Sequence, residues 1–290
     1  MSENLSVTSD SVSHSFENAT GLIDYGFTND YMFHTILQQS DNVLRGLICS
    51  LLHLEPGDIM SIEITNPILP GESYDAKEFI LDVEVVLNND MLINLEMQVV
   101  NEQNWPERSL SYLCRRFDQL SHGQDYTECR LAVHIGFLDF APFPECAEFY
   151  ATYKLLNINN HHLYSDKFIL GVIDLTHIEL ATDEDKVYGI DHWAGLFKST
   201  TWEELKMISE NNPVLQEASE SLYVLNSDEL TRARAQARRE HILHENVLNR
   251  MISELTEKNK TLTSENQVLT SEIQLLRTKL AEYKDSGDSH

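Results

Sequence analysis

The sequence predicts an α/β fold in which helices flank a mixed β-sheet, followed by a C-terminal helical coiled coil. In the first 226 residues, apolar side chains at helical spacing give way repeatedly to strand-like runs with a period of two. Leucines then recur every seven residues from Leu248 to Leu276, which is the repeat of a coiled coil. The chain of 290 residues, 42% of them hydrophobic, is long enough to bury a core.

Helical and strand-like patterns alternate loosely along the chain. The stretch TNDYMFHTILQQ spaces Met32, Phe33 and Ile36 along one face of a helix, whereas the residues after Asp58 change to a period of two. The predicted elements, in chain order, are helices at 28–39 and 41–54, strands at 59–69, 78–87 and 91–100, a helix at 106–122 closed by Gly123, strands at 129–140 and 167–175, and a helix at 201–213.

Composition sets the expected domain boundaries. The first twenty residues are rich in Ser, Asn and Thr and poor in large apolar groups, so they are expected to be disordered. The expected divisions are a disordered leader at 1–20, an α/β domain at 21–226, a basic helical linker at 227–247, the coiled coil at 248–284 and a disordered tail at 285–290.

The net charge of −26 is concentrated in the α/β part. Residues 1–226 hold 11 Lys and Arg against 36 Asp and Glu, whereas residues 227–290 hold 10 against 11. Such a negative surface repels nucleic acid, so a function on DNA requires local positive charge or metal ions. No signal peptide or long apolar run is present, and the four cysteines are widely spaced, so we expect a cytoplasmic protein with reduced thiols and no membrane contact.

Two strand-like runs, LDVEVVL and MLINLEMQ, flank Asn88-Asn89-Asp90 and predict a β-hairpin. If these three residues form the loop, Leu87 pairs with Met91. Counting back along both strands then places Asp82 opposite Glu96, with Cβ atoms roughly 5 Å apart. One face of the hairpin is apolar, and the other carries acids and amides.

The facing acids predict a metal site. Two opposed carboxylates destabilise a hairpin unless one is protonated or a cation lies between them. Mg²⁺ suits such a pair because it binds one or two carboxylates, several waters and substrate phosphate oxygens. Gln98 projects to the same side, where its amide would orient a water or contact a phosphate. The alternative is an ordinary solvent-facing strand, since strands with one wet face commonly carry Asp, Glu and Asn.

The string FILDVEVVLNNDMLINLEMQVVNEQNWPERSLSYLCRRFDQLSHGQDYTECRLAVHIGFLDF resembles the Rpn group, the recombination-promoting nucleases also described as PD-(D/E)XK nuclease family transposases. The resemblance rests on LDVEV, the hairpin, INLEMQ, the dipeptide ER with its aromatic helix, and an apolar strand ending in DF. It covers residues 25–226, so the α/β domain is expected to be a PD-(D/E)XK nuclease-like domain.

The resemblance implies a restriction-endonuclease-like core and Mg²⁺-dependent hydrolysis of DNA phosphodiesters, with Mn²⁺ as a substitute ion. Asp82 and Glu96 then take the metal-ligand positions, and Gln98 takes the position usually held by Lys. Leu81 stands where the motif has Pro, a position that does no chemistry. Because glutamine carries no positive charge, more of the charge stabilisation at the scissile phosphate falls to the metal ions.

Other residues are weaker candidates. Asp30 in the first helix is a possible further acid of the metal site, with an ordinary helix N-terminal charge as the alternative. Arg108 and Arg115 share one face of a predicted helix that would meet phosphate, and for Arg108 a structural ion pair is the alternative. Lone histidines such as His134 lack partners at ligand spacing, so they are interpreted as structural or exposed.

The C-terminal heptads favour a parallel homodimer, because Leu occupies every d position and mostly Ile and Asn occupy the a positions. A single amphipathic surface helix, the alternative, would show a wider apolar face. Just upstream, TRARAQARREH is interpreted either as a solvated helical linker or as a contact with DNA phosphates. Its candidate residues are Arg232, Arg234, Arg238 and Arg239.

The leading hypothesis is therefore a homodimeric, Mg²⁺-dependent DNA endonuclease associated with recombination or mobile elements. The rival hypothesis is a nuclease-like fold without catalysis that serves as a dimeric DNA-binding or scaffold protein. The acidic body and the Gln98 substitution favour the rival, whereas the two retained acids favour the enzyme. A third hypothesis is a DNA binder that dimerises through the leucine zipper, has no catalytic activity and binds DNA without a metal.

Overall fold

A six-stranded mixed β-sheet forms the centre of the fold, as expected from the alternating patterns. The computed structural model describes residues 15–68 and 82–287. The described helices are α1 (Asp30–Gln39), α2 (Asp41–Leu52), α3 (Trp105–Phe117), α4 (Asp183–Val187), α5 (Ile190–Lys198), α6 (Trp202–Ser209), α7 (Pro213–Ser227) and α8 (Glu229–Gly287). The strands are β1 (Ile62–Ile64), β2 (Val83–Leu87), β3 (Met91–Gln98), β4 (Leu131–Leu138), β5 (Tyr150–Lys154) and β6 (Phe168–Asp174). The predicted α/β class is confirmed.

The strands lie in the order β1-β2-β3-β4-β6-β5. The central pairs β3–β4 and β4–β6 are parallel, and the remaining pairs are antiparallel. One face of the sheet is apolar and belongs to the main core, which also contains buried side chains of α1, α2, α5 and α7. The other face carries the polar residues of β3 and is covered by α3. This second face holds the candidate site.

The predicted hairpin register is confirmed. Leu87 pairs with Met91, and the ladder continues back to Val83 paired with Leu95. Asn88 and Asn89 in the loop have φ values of 51° and 58°. Asparagine enters this left-handed region more readily than most residues, so the loop sequence suits the three-residue connection that sets the register.

The helix predicted at 106–122 ends earlier than expected, at Phe117. Its buried positions are Trp105, Ser109 and Leu113, and the backbone leaves the helical region at Asp118. The helix therefore stops where its buried stripe ends, and Gly123 lies in a later turn with a φ of 92°. The strand predicted at 59–69 is shorter, and its end, like the start of the strand predicted at 78–87, lies outside the described residues.

Four of the described strands and α-helices had no counterpart among the sequence predictions: β5, α4, α5 and α7. Two of them carry recognisable start signals. Asn212 caps α7 by accepting from the backbone N–H groups of Val214 and Leu215, and Pro213 occupies the first helical position. Thr182 and Asp185 form a capping box at the start of α4.

The expected disordered segments at the two ends of the chain lie largely outside the described residues. Residues 1–14 of the expected leader and 288–290 of the expected tail lie outside the described residues. Phe16, within the expected leader, is buried and packs edge-on against Trp202 at 6.3 Å between ring centroids. Among the described helices, none combines the length and apolar character needed to cross a membrane.

The chain divides into two compact units, Met1–Glu240 and His241–His290. The second unit is helical throughout its described residues, all of which belong to α8. The heptad leucines from Leu248 to Leu276 are between 44% and 64% exposed in the single chain. The described residues of this unit form a single helix, which offers the apolar seam nothing to pack against, so burial of the seam requires another surface.

Candidate active site

Two acids lie side by side on the polar face of the sheet. Glu96 is in β3, and Asp82 directly precedes β2, one step beyond the pairing of Val83 with Leu95. Each acid is only 4% exposed. The structure therefore brings together the two residues that the hairpin register singles out.

Burial dominates the electrostatics of both acids. It raises the pKa of Asp82, an effect increased by the negative charge of Glu84 and opposed by a hydrogen bond from Asn94. Burial also raises the pKa of Glu96 to about 7, although Arg108 and its hydrogen bond oppose the shift and Asp82 adds to it. The mutual repulsion predicted for two facing carboxylates is present, but the loss of hydration is the larger cause.

One oxygen of each acid has no hydrogen-bond partner within the described residues. These atoms are Asp82 Oδ1 and Glu96 Oε2, and both are fully buried. Buried carboxylate oxygens are costly unless something compensates them. A proton or a cation would provide that compensation.

Arg108 is the main partner of Glu96. Its Nε donates to Glu96 Oε1 at 2.7 Å, and its Nη1 lies 3.6 Å from Glu102 Oε2. The guanidinium also lies over the ring of Tyr112, 5.5 Å from the ring centroid. Of the two interpretations weighed for Arg108, the structural ion pair is thus present in the structure. Arg115 is exposed and lies over the same ring at 5.9 Å.

A glycine allows α3 to approach this face closely. A Cβ atom at Gly136 of β4 would lie 2.1 Å from Cη2 of Trp105 and 2.2 Å from Cζ2. Gly136 pairs with Glu96 in the parallel ladder, so the indole lies beside the acid pair. The missing side chain therefore lets Trp105 bring the first turn of α3, and with it Arg108, to the site.

Two further predicted site residues, Gln98 and Asp30, have partners other than the two acids. Gln98 is half-buried, and its Nε2 donates to the carbonyl of Val100 at 3.0 Å. Asp30 is buried, and Arg238 Nε lies 2.8 and 2.7 Å from its two carboxylate oxygens. Within the described residues, no contact joins Asp30 to Asp82 or Glu96. The donor side of the Gln98 amide is thus engaged by the main chain.

The acid pair fits a hard divalent cation. In the described part of the chain, no three His, Cys, Asp or Glu side chains gather as a metal cluster. Mg²⁺ does not require such a cluster, because it commonly binds one or two carboxylates and keeps several waters. The unpaired oxygens Asp82 Oδ1 and Glu96 Oε2 are ligands of the type that Mg²⁺ prefers.

Sequence reasoning missed Asn94 and His134 as members of this site. His134 in β4 is fully buried, pairs with Asn94 in the parallel ladder, and stacks on Tyr112 with an interplanar angle of 3°. Burial, together with a smaller effect of the positive charge of Arg108, lowers the pKa of His134 to about 3. One signal was available: a single histidine inside the apolar run LAVHIGFL must find a polar partner once that strand is buried.

Three of the four basic residues at the start of α8 contact residues in or just before α1. Arg238 pairs with Asp30, Arg234 donates to the hydroxyl of Tyr31 at 3.2 Å, and Arg232 lies 3.3 Å from Asp24. Arg239 is exposed. The proposed contact of these arginines with DNA phosphates stays a prediction.

Comparison of the sequence with protein-family models identifies a matching family. A model described as "PD-(D/E)XK nuclease family transposase" matches residues 24–273, which include the entire sheet, the acid pair and much of α8. The chain belongs to this family. The family resemblance seen in the sequence is thereby confirmed. Neither the curated proteins nor the solved structures compared with the chain gave a match.

Membership in the PD-(D/E)XK nuclease family transposases supports a nuclease- or transposase-associated role. The mixed six-stranded sheet flanked by helices agrees with the fold of this family. The acidic composition of the chain does not by itself attract DNA, so a function on DNA would require local positive charge or metal ions.

Proposed function

We propose that the protein is a metal-dependent DNA endonuclease that hydrolyses phosphodiester bonds at the site of Asp82 and Glu96. The observation that carries this proposal is the pair of buried acids, each with one unpaired oxygen, on adjoining strands of a PD-(D/E)XK family sheet. A structural role alone would favour apolar or neutral residues at two such buried positions, because each buried carboxylate is costly.

Each residue of the site would have its own role in the reaction. Asp82 and Glu96 would hold one or two Mg²⁺ or Mn²⁺ ions, which supply water activation and charge neutralisation at the phosphate. Arg108 holds one oxygen of Glu96 through Nε, leaving Oε2 for the ion. The carbonyl oxygen of the Gln98 amide would accept a hydrogen bond from a water, since its nitrogen is bound to Val100.

The acting form in this proposal is a homodimer joined by a parallel coiled coil at 248–284. The exposed heptad leucines and the seam asparagines Asn259 and Asn266 support it. Such a dimer brings two sites to one DNA molecule. A cytoplasmic location and a biological role in recombination or mobile-element maintenance stay predictions.

Cleavage of supercoiled plasmid by the purified full-length protein tests the proposal. We expect nicking or linearisation with Mg²⁺ or Mn²⁺, none with EDTA, and a loss of at least about 100-fold in Asp82→Ala. Asp90→Asn is the matched control, because it removes one exposed carboxylate from the same hairpin and should cleave like the wild type. Metal-independent cleavage, or equal activity of Asp82→Ala and wild type, would contradict the proposal.

The rival, a dimeric DNA-binding or scaffold protein, has one structural observation in its favour. Both acids are only 4% exposed, and Glu96 is already neutralised in part by Arg108. Calorimetry with Mn²⁺ separates the two hypotheses. Binding that is lost in Asp82→Ala supports the nuclease, whereas no binding and no thermal stabilisation by Mn²⁺ or Mg²⁺ supports the scaffold.

A further inference from the structure

We propose that Asn94 and His134 are positioning residues that give the hydrogen bond at Glu96 a fixed direction. In this arrangement the Asn94 amide selects the tautomer of His134, and His134 presents an N–H to the unpaired oxygen of Glu96. The inference about the order of donors and acceptors is independent of the metal. Its consequence for ion binding rests on the proposed function.

The first link is the orientation of the Asn94 amide. Asn94 is buried, and its Nδ2, not its Oδ1, lies toward the imidazole of His134 in the adjacent parallel strand. An amide NH₂ group only donates hydrogen bonds, so this orientation presents a donor to the ring.

The second link is the tautomer of His134. Asn94 Nδ2 lies 2.9 Å from His134 Nδ1, and both side chains are buried. Since an amide NH₂ can only donate, Nδ1 must accept and carries no proton. In a neutral imidazole the proton then resides on Nε2. The tautomer thus follows from the orientation of Asn94.

The third link connects His134 with Glu96. His134 Nε2 lies 3.6 Å from Glu96 Oε2, and both atoms are buried without another hydrogen-bond partner in the described part of the chain. One is a donor and the other an acceptor, so they are complementary. A closure of less than 1 Å would complete a hydrogen bond. A carboxylate oxygen has a second lone pair, so this bond leaves Oε2 able to bind an ion.

The surroundings hold the imidazole in place. Tyr112 stacks on His134 at 5.8 Å between ring centroids, and Trp105 lies at 5.6 Å on a tilted ring plane. Arg108 holds the other oxygen of Glu96. Hydrogen-bond donors of Arg108 and His134 therefore lie on both oxygens of the Glu96 carboxylate. Hydrogen bonds from residues that do not themselves bind the metal commonly orient a metal-binding carboxylate in this way.

The tautomer is tested by ¹⁵N–¹H correlation spectra of the full-length, metal-free protein labelled at histidine, with EDTA present. The signals of His134 are assigned by their absence in His134→Gln. We expect a neutral ring with the proton on Nε2 and an unprotonated Nδ1, and we expect Asn94→Leu to mix the two tautomers. A proton on Nδ1, or on both nitrogens, at neutral pH would overturn the inference.

The effect on Glu96 is tested by Mn²⁺ titration of two variants with different donors. His134→Phe keeps the stacked ring but removes the N–H, so we expect Mn²⁺ affinity to fall about 10- to 100-fold. His134→Gln keeps a donor and should recover much of that loss. Equal affinity in wild type and His134→Phe would show that the link does not position Glu96. If the wild type itself binds no Mn²⁺, the metal site of the proposed function fails, and the tautomer alone decides this inference.

Discussion

The ion pair between Asp30 and Arg238 connects the N-terminus of α1 with the first turns of α8, and its removal should destabilise the first unit strongly. The two side chains are 9% and 13% exposed. Arg238 Nε reaches both carboxylate oxygens, at 2.8 and 2.7 Å, and Asp30 Oδ1 also accepts from the backbone N–H of Tyr31 at 2.9 Å. The pair therefore belongs to the buried class, in which losing one partner leaves an uncompensated charge.

The expected magnitude follows from this geometry. Two charges about 4 Å apart attract each other by about 4 kcal/mol at an effective dielectric constant of about 20. Loss of hydration offsets part of this, so we expect a coupling free energy of about 2 kcal/mol between Asp30 and Arg238. Arg238→Gln alone should lower the free energy of unfolding by about 3 kcal/mol, because the buried carboxylate loses its charged guanidinium partner.

The assay is a double-mutant cycle of Asp30→Asn and Arg238→Gln, measured by urea unfolding with tryptophan fluorescence. All three tryptophans of the chain are buried in the first unit, so the signal does not report the second unit. The Asp24–Arg232 pair is the matched control, since its side chains are 63% and 51% exposed and 3.3 Å apart. Its coupling should stay below about 0.5 kcal/mol. Equal coupling in the two cycles would refute the reasoning.

Three further predictions concern the site and the core. Gly136→Ala should cost about 1–3 kcal/mol in urea unfolding, because its methyl group would overlap Trp105, whereas Gly57→Ala, with no atom within 4 Å of the new Cβ, should be near neutral. In the metal-free protein, Glu96 binds its proton more tightly in the folded state than in the unfolded state. Its contribution to the free energy of unfolding should therefore fall by about 3 kcal/mol as pH rises from 4.5 to about 7. Glu96→Gln should abolish that fall, and an unchanged pH profile would count against it. The pH dependence that His34 causes has the opposite sign, because burial lowers its pKa from 6.5 to about 4. The free energy of unfolding should fall by about 3 kcal/mol as pH falls through that range. His34→Leu should reduce this loss of stability at acidic pH.

Local pattern was sufficient for the elements that alternate cleanly. The register of β2 against β3 followed from the period of two and from Asn88-Asn89-Asp90, because a slip of one residue would move every apolar side chain to the wrong face. The facing of Asp82 and Glu96 came with it. The helix at 106–122 was less well predicted at its end, since the point where a helix stops depends on what its last turn can bury.

Contacts between distant parts of the chain could not be predicted in this way. Arg108 was equally compatible with phosphate and with an ion pair until the packing of α3 placed it 2.7 Å from Glu96. His134 has no partner at ligand spacing because its neighbours in sequence are apolar, and its partner Asn94 is forty residues away in an adjacent parallel strand. A spacing rule searches along the chain, whereas parallel strands are connected only through long crossovers.

The sequence by itself determined the α/β class, the hairpin with its two facing acids, the heptad repeat of the C-terminal segment and the family resemblance, because each depends on short-range periodicity or on an ordered string of residues. Only the tertiary structure decided which side chains surround those acids and which basic side chains already form ion pairs. Burial raised the pKa of both carboxylates, and docking of α8 on α1 paired Arg238 with Asp30 across 208 positions. Hydration and charge pairing are properties of the packed molecule, so they appear only when segments far apart in sequence meet.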